Sequence, residues 1–560
     1  MTQADIVIRN AQILTMDERA PTAQSLALLG NKIAAVGRHE DTADLIGPKT
    51  RVIDADGATV LPGFVESHLH LFSGAYGRRF LQMSEFDDVE AAKTALRQFA
   101  ADNPDEGLLV AQGTTYELLA GHGKDPRQLI DEMVRDRPVL VLSFDFHTGW
   151  ANSAALEQAG LSRGRDVGAG SEVVVGPDGM ATGELREKNA IGPVRALRTS
   201  GGREMLGNYG LEPETPPTPE ERAQDIAVLK EGLAFCAAQG ITSIHNMDGN
   251  RYLLELFKEI EDAGELTVRV EVPFHLTREK PLSSLDEASR LAADFNSDKL
   301  KSGRVKIFCD GVLESGTGVL VDEYANQPGN RGEPIFEAAH FNKAAIDIDA
   351  RGLQISVHAI GDGAVRIVLD GVQAAQEANG KRDARHRIEH LEVVHPEDLP
   401  RFRELGVIAS MQPLHVPGVM GLPLEPAVSV IGEARLPFAY AWRDVIETGA
   451  DYAFSSDWPV VRVEPLVGIS AALTREPFHP GVPDQRVPLM QVLEGFTWRG
   501  AFAGHMDDRT GRICTGMLAD LVILGGDIAA TDPKEIPGLG PVMTICDGQI
   551  TFETTQGPGA

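Results

Sequence analysis

Pro62-Gly63-Phe64-Val65-Glu66-Ser67-His68-Leu69-His70 is the stretch that decides the reading of this chain. It begins as an apolar strand and ends in two histidines at i and i+2. Side chains two apart on a strand share a face, and imidazole is the commonest protein ligand for metals and suits Zn²⁺. One His-x-His pair taken alone is as consistent with an incidental spacing as with a site. Three later segments repeat the arrangement. His358 follows Gln354-Ile355-Ser356-Val357, His390 follows Arg387-Ile388-Glu389, and Asp457 follows Tyr452-Ala453-Phe454-Ser455. Each residue sits where a strand of a parallel barrel delivers a side chain to the C-terminal mouth. The ordered series His-x-His, His, His, Asp reads as a metal site.

Outward from these segments the chain alternates strand and helix. Further strands are expected at 139–142, 241–244, 266–270 and 305–308, and helical patterns at 223–238, 364–378 and 442–448. Such alternation over roughly 400 residues indicates an α/β fold, and the length suits a (β/α)₈ TIM-type barrel with insertions. The span from about 77 to 220, with Gly- and Pro-rich tracts at 164–179 and 212–219, reads as an insertion near the barrel mouth. Short apolar stretches separated by Asn, Asp and Gly mark strands at 6–8, 11–14, 25–28, 33–37, 51–54 and 59–62. The same texture returns at 519–524, 542–546 and 547–550. Residues 1–61 and 511–560 are therefore expected to form one small sheet domain built from both termini, and 62–510 the barrel.

Composition removes several classes. The 560 residues carry 52 Lys and Arg against 82 Asp and Glu, a formal charge of −30. Such a surface repels phosphate backbones and disfavours nucleic-acid binding. Hydrophobic residues at 42% place the chain among globular proteins rather than disordered ones. No apolar run reaches the ~20 residues of a membrane helix. Asp5 stands where a signal peptide carries positive charge, and Cys236, Cys309, Cys514 and Cys546 form no Cys-x-x-Cys pair. A reducing cytoplasm is the expectation. The Gly-x-Gly stretches lack the strand-to-helix context of a nucleotide site.

With these residues in view, the sequence resembles the amidohydrolase superfamily of metal-dependent hydrolases, and within it the YtcJ-like branch that includes N-substituted formamide deformylases. The resemblance runs over essentially the whole chain. It rests on Pro62-Gly63-Phe64 leading to His68 and His70, Val305-Lys306-Ile307-Phe308-Cys309-Asp310-Gly311, His358-Ala359-Ile360-Gly361-Asp362 and Ile388-Glu389-His390. Ser456-Asp457-Trp458-Pro459-Val460 and Gly516-Met517-Leu518-Ala519-Asp520-Leu521-Val522 complete it. It implies a (β/α)₈ barrel plus a small β-sandwich made from 1–61 and 511–560, and one or two divalent metals, usually zinc. His68 and His70 would hold the buried metal and His358 and His390 the more exposed one, while Asp457 would contact a metal and handle the proton.

Lys306 needs a separate argument, because an ammonium cannot bind Zn²⁺. Burial lowers a lysine pKa and frees neutral amine. The amine can take up CO₂ as a carbamate, an anionic oxygen ligand, and the resemblance implies a carbamylated Lys306 bridging two metals. The competing reading is an ordinary lysine paired near Asp310. Some relatives bridge with a glutamate, for which Glu187 is the alternative here. The run Val312-Leu313-Glu314-Ser315-Gly316-Thr317-Gly318 departs from the branch, which commonly continues with a Ser-Leu-Gly-type run and an Arg. A relative's substrate preference therefore does not transfer directly.

His147 and Trp150, in Asp145-Phe146-His147-Thr148-Gly149-Trp150, are candidates to line the substrate pocket. The same stretch also reads as a helix entry, with Asn152 or Ser153 as N-cap. His245, near a strand end, and Trp458, beside Asp457, are further pocket candidates, with core packing the alternative for each. His39, His340, His395 and His479 fall in loops or helices and receive no role.

The reading that results is a metal-dependent hydrolase of a linear C–N bond, an N-acyl or N-formyl amide, with metal-activated water as nucleophile. The expected partner is a small-molecule amide, with no nucleic acid and no membrane; a homodimer is expected on family-level grounds alone. One alternative is a deaminase or cyclic amide hydrolase on the same centre. Another, of a different class, is a non-catalytic binding protein on an amidohydrolase scaffold.

Overall fold

Strand Phe64–Leu69 is buried at all six positions, as expected of a parallel strand covered on both faces. It pairs in parallel with Ile241–Asn246, which pairs with Arg269–Glu271, and that strand with Leu300–Lys301. A second parallel sheet runs in the order Phe274–His275, Arg304–Phe308, Gln354–Ala359, Arg387–His390, Ile408–Met411, Tyr452–Phe454. The computed structural model describes residues 3–555 apart from 85, 87, 120–121, 144–145, 147, 169–170 and 420–421.

The two sheets are arcs rather than one closed ladder. At one boundary Val272-Pro273 separates Arg269–Glu271 from Phe274–His275. Proline has no N–H to continue a ladder. At the other, the ends of Tyr452–Phe454 and Phe64–Leu69 meet through two backbone bonds. The Asp457 N–H donates to the His68 carbonyl (2.8 Å) and the His70 N–H to the Trp458 carbonyl (2.7 Å).

Helices connect the strands. Arg251–Asp262 begins at Asn250, whose side chain accepts the Leu253 N–H, and buries Tyr252, Leu253, Leu256, Phe257 and Ile260. Leu399–Leu405 ends at Gly406, where a left-handed φ of 64° suits glycine. Within a strand the period of two separates chemistry from packing. Arg304, Lys306 and Phe308 share one face of their strand, and Val305 and Ile307 take the other.

Both termini contribute to one six-stranded sheet, Gln549–Glu553, Pro541–Cys546, Leu521–Leu524, Thr59–Pro62, Gln12–Leu14, Thr22–Ala23. A four-stranded sheet orders Lys32–Gly37, Ser25–Leu29, Ile6–Arg9 and Arg51–Asp54. Ile8, Leu26 and Ile53 of the second pack in one core with Ile13, Val60, Leu521, Ile523 and Ile545 of the first.

The chain divides into two units: 1–71, 207–212 and 230–560 form the first, and 72–206 with 213–229 the second. The second unit is built on the sheet Glu172–Val175, Ala181–Arg186, Thr148–Ala151, Val139–Ser143, Leu109–Thr114, Leu81–Gln82. Alternate residues feed cores on its two faces, one holding Leu109, Val139, Val141 and Trp150, the other Leu108, Val110, Leu140 and Leu142.

Candidate metal centre

His68, the penultimate residue of its strand, is 1% exposed. Its Nε2 lies 3.3 Å from Oδ1 of Asp457, and Nε2 of His70 lies 3.3 Å from the same oxygen. His390 Nδ1 is 4.0 Å from the other Asp457 oxygen. Ligand atoms of His68, His390 and Asp457 fall within 4.8 Å of one another, close enough to hold a metal ion. The His358 ring is 4.6 Å from that of His390, which is 4.9 Å from that of His68. The structure thus brings together all four histidines and the aspartate. Lys306 adjoins them: its Nζ sits 5.2 Å over the Phe308 ring, itself 4.9 Å from the His358 ring.

The backbone is unusual at these residues. Asp457 has φ 65°, His390 φ 79° and Leu391 φ 54°, the left-handed region that residues with a Cβ seldom adopt. Such strain clusters at functional sites, where surrounding structure holds it in place.

Each His-x-His ring has a fixed partner on its inner nitrogen. His68 Nδ1 is 2.8 Å from Glu389 Oε2. His70 Nδ1 is 2.6 Å from Asp248 Oδ1 and 3.0 Å from Asn208 Oδ1. His390 Nδ1 lies 3.1 Å from Gln412 Oε1, and His358 Nε2 lies 3.1 Å from the Gly311 carbonyl.

Electrostatics favour a cation. Burial, with Lys306 nearby, lowers His358 to about 3, and burial holds His390 well below the usual imidazole value. Both are the neutral rings that metal ligation requires. Burial opposes charge on His70, but Asp248 and Asp457 prevail and hold it up at about 10. Burial would raise Asp457; His68, His70 and His390 keep it well below the carboxylate range, so it is ionised. Asp457 Oδ1, Lys306 Nζ and His415 Nε2 are among the buried atoms here that have no hydrogen-bond partner among the described residues. Unpaired buried polar groups are costly, and an ionised carboxylate oxygen facing the Nε2 atoms of His68 and His70 fits a divalent ion.

Lys306 is fully buried, and burial lowers it to about 8 against the pull of Glu389 and Asp457. Asp310 does not pair with it. The Asp310 carboxylate instead accepts the N–H groups of Val319 (2.9 Å), Ile360 (3.1 Å) and Gly361 (3.0 Å), tying the loop after the Lys306 strand to the loop after His358.

The pocket candidates are distributed differently. Trp458 is 7% exposed, with its ring 5.6 Å from Phe235. His245 Nδ1 is 3.1 Å from Arg387 Nη1 and its Nε2 3.9 Å from Glu271, inside a buried polar network. Trp150 packs in a core of the second unit, edge-on to Tyr116 at 5.4 Å, and Asn152 caps the next helix by accepting the Ala155 N–H. Glu187 also belongs to the second unit. His147 lies outside the described residues.

Sequence reasoning passed over His415. Its Nε2 is 3.9 Å from Asp457 Oδ2, and its ring stacks parallel to His390 at 6.0 Å and 8°. The signal was the strand Ile408–Met411, four buried residues leading into Gln412-Pro413-Leu414-His415. Asp248 and Glu389 were likewise missed as partners of the paired histidines.

The amidohydrolase family model matches residues 51–552. This chain belongs to the amidohydrolase family. The protein LONG AFTER FAR-RED 3 of Arabidopsis thaliana is 28% identical to this amidohydrolase, over 93% of this chain and 87% of that one. The putative amidohydrolase YtcJ of Bacillus subtilis is 25% identical over 97% and 98%. The N-substituted formamide deformylase of Arthrobacter pascens is 24% identical over 99% and 100%. These full-length matches place the amidohydrolase in the YtcJ-like branch. Among solved structures, an uncharacterized metal-dependent hydrolase from Pyrococcus horikoshii OT3 superposes with a TM-score of 0.74 at 22% identity, covering 96% of this chain and 99% of that one. The fold is of the TIM-barrel metal-hydrolase type, and the protein is a metal-dependent hydrolase of carbon–nitrogen bonds. No helix among the described residues is long and apolar enough to cross a membrane.

Proposed function

We propose that this amidohydrolase cleaves a linear N-acyl or N-formyl amide of a small molecule. The observation that carries the reading is the convergence of His68 Nε2 and His70 Nε2 on one oxygen of an ionised, buried Asp457. Full-length similarity to an N-substituted formamide deformylase supports the substrate class. His68, His70, His358, His390 and Asp457 would hold the metal, one or two ions of the zinc type, with carbamylated Lys306 as a further oxygen ligand. A bound divalent ion supplies acidified water and polarises a carbonyl.

Asp457 is the proton carrier. Its carboxylate accepts a proton from the attacking water and returns it to the departing nitrogen as the C–N bond breaks, leaving a carboxylic acid and an amine. His415 Nε2 and Trp458 bound the space beside that carboxylate.

The scaffold we propose is an eight-stranded (β/α)₈ barrel over 62–510, with a β-sandwich from 1–61 and 511–560. The two arcs of parallel strands, the backbone bonds at His68 and Asp457 and the shared core of the terminal sheets support it.

Metal analysis of the purified protein, joined to a panel of linear formamides and acetamides, cyclic amides and amino-substituted heterocycles, tests the reading. Stoichiometric metal with turnover confined to linear amides is expected. Turnover confined to rings or amino-heterocycles would overturn the substrate class.

A further inference from the structure

Glu389 is fully buried, and both of its oxygens are committed. Oε2 faces His68 Nδ1 at 2.8 Å and accepts Arg387 Nη2 at 2.8 Å. Oε1 accepts Arg387 Nε at 2.6 Å and the Ser356 hydroxyl at 2.6 Å. Arg387, equally buried, is fixed in turn: Nη2 also donates to the Ser67 carbonyl (2.8 Å) and Ser410 Oγ (2.6 Å), and Nη1 faces His245 Nδ1 at 3.1 Å. The result is a continuous line His245–Arg387–Glu389–His68 through the interior of the first unit.

An ionised carboxylate only accepts hydrogen bonds. Nδ1 of His68 must therefore carry a proton, and a ligating His68 would present its Nε2 lone pair to the ion. A buried ion pair contributes little net stability compared with well-packed apolar residues. Arg387 and Glu389 are thus poorly explained as a stabilising pair and well explained as a device that fixes one imidazole.

We propose that Glu389, locked by Arg387 and Ser356, is a positioning residue that sets the tautomer and ring angle of His68 and so the affinity of the centre for a divalent ion. The proposal rests on the reading of His68 as a metal ligand. Carboxylates that orient a ligating histidine typically contribute ~10–100-fold in metal affinity.

The test is a double-mutant cycle on Zn²⁺ affinity, read by competition with a chromophoric chelator on metal-stripped full-length protein. In Glu389→Gln one carboxylate oxygen becomes an NH₂ that competes with the donors around it. The expected result is a Kd for Zn²⁺ raised ~10–100-fold. His68→Ala should also weaken binding, and Glu389→Gln should add little in the His68→Ala background. Equal losses in both backgrounds would show that Glu389 acts through general structure and would overturn the proposal. Unchanged affinity in Glu389→Gln would overturn it while leaving His68 as a ligand. Unchanged affinity in His68→Ala would overturn the ligand reading itself and the proposal with it. Should Glu389→Gln not fold, Ser356→Ala removes one bond to Oε1 and leaves the ion pair; a several-fold rise in Kd that vanishes in the His68→Ala background supports the proposal, and native affinity overturns it.

Discussion

Asp457 and His68 are joined twice. The Asp457 N–H donates to the His68 carbonyl at 2.8 Å, and the side chains meet with Oδ1 3.3 Å from Nε2. The backbone bond lies where the two parallel arcs meet, so that junction and the centre are built from the same two residues. Glu66 reinforces it: its Oε1 accepts the N–H groups of both His68 (3.1 Å) and Ser456 (3.0 Å). The left-handed φ of Asp457 follows from this double constraint, since the chain must turn sharply to make both contacts.

Asp457→Asn separates ligation from proton transfer. The change is nearly isosteric, and the amide keeps an oxygen for a metal but cannot accept and return a proton at neutral pH. Loss of general acid–base help typically costs ~10²–10⁴ in rate. The expected variant is folded and metallated, with kcat down at least about a hundredfold. Near-native kcat with full metal content would remove Asp457 as the proton carrier.

His415→Asn examines a residue with no hydrogen bond of its own at Nε2. That atom is buried beside Asp457 Oδ2, and the ring is braced against His390. Burial keeps the imidazole below its usual pKa, so it is neutral, and as a donor at Nε2 it would reach a substrate oxygen beside Asp457. Loss of one such donor at a reacting carbonyl costs ~10²–10³ in kcat. A fall of that order with metal content unchanged is expected from steady-state kinetics and metal analysis. Native kinetics would leave His415 a packing residue.

The histidines of the candidate centre were legible in the sequence because a strand end is a fixed address. An apolar run of four to six residues predicts the strand, and the residue after it predicts the mouth. That logic located His68, His70, His358, His390 and Asp457. It failed for His415 because that residue does not directly follow its strand: Gln412-Pro413-Leu414 stand between Met411 and His415. The partners Glu389 and Asp248 were not legible for another reason. A hydrogen bond between residues 321 positions apart, such as His68 to Glu389, depends on the register of strands that local pattern does not encode. Trp150, in a stretch the sequence left open between a pocket wall and a helix entry, packs in the core of its own unit.

Deleting residues from Gly511 onward should abolish soluble expression. Leu521–Leu524 pairs with Thr59–Pro62 and carries Pro541–Cys546 and Gln549–Glu553 beyond it, so the loss of all three exposes the edge of Thr59–Pro62. Leu521, Ile523 and Ile545 are fully buried, each contributing ~1.5–3 kcal/mol. The deletion also removes Asp520, whose carboxylate pairs with buried Arg269 at 2.6 Å, and leaves that guanidinium uncompensated. Recovery of a soluble, active truncation would show that the N-terminal strands do not need the C-terminal ones.

Lys306 yields a prediction in pH and CO₂. Burial lowers its pKa from 10.5 to about 8, so in the metal-free protein about one lysine in ten is neutral at pH 7 and about half at pH 8. Only the neutral amine takes up CO₂. Reactivation of metal-stripped protein by Zn²⁺ should therefore be several-fold faster at pH 8 with bicarbonate than at pH 7, and slow at either pH when CO₂ is excluded. The linkage has a definite sign. The native state sheds this proton at about 8 and the unfolded chain near 10.5. Between those values the unfolded chain binds more protons, and the lysine's contribution to stability rises with pH. Lys306→Met should flatten that rise in metal-free denaturation curves and remove the CO₂ dependence together. A carbon-13 carbamate resonance from labelled bicarbonate, present in the native protein and absent in Lys306→Met, would assign the adduct. Reactivation indifferent to CO₂, with no such resonance, would reduce Lys306 to a buried amine and remove the carbamate from the centre.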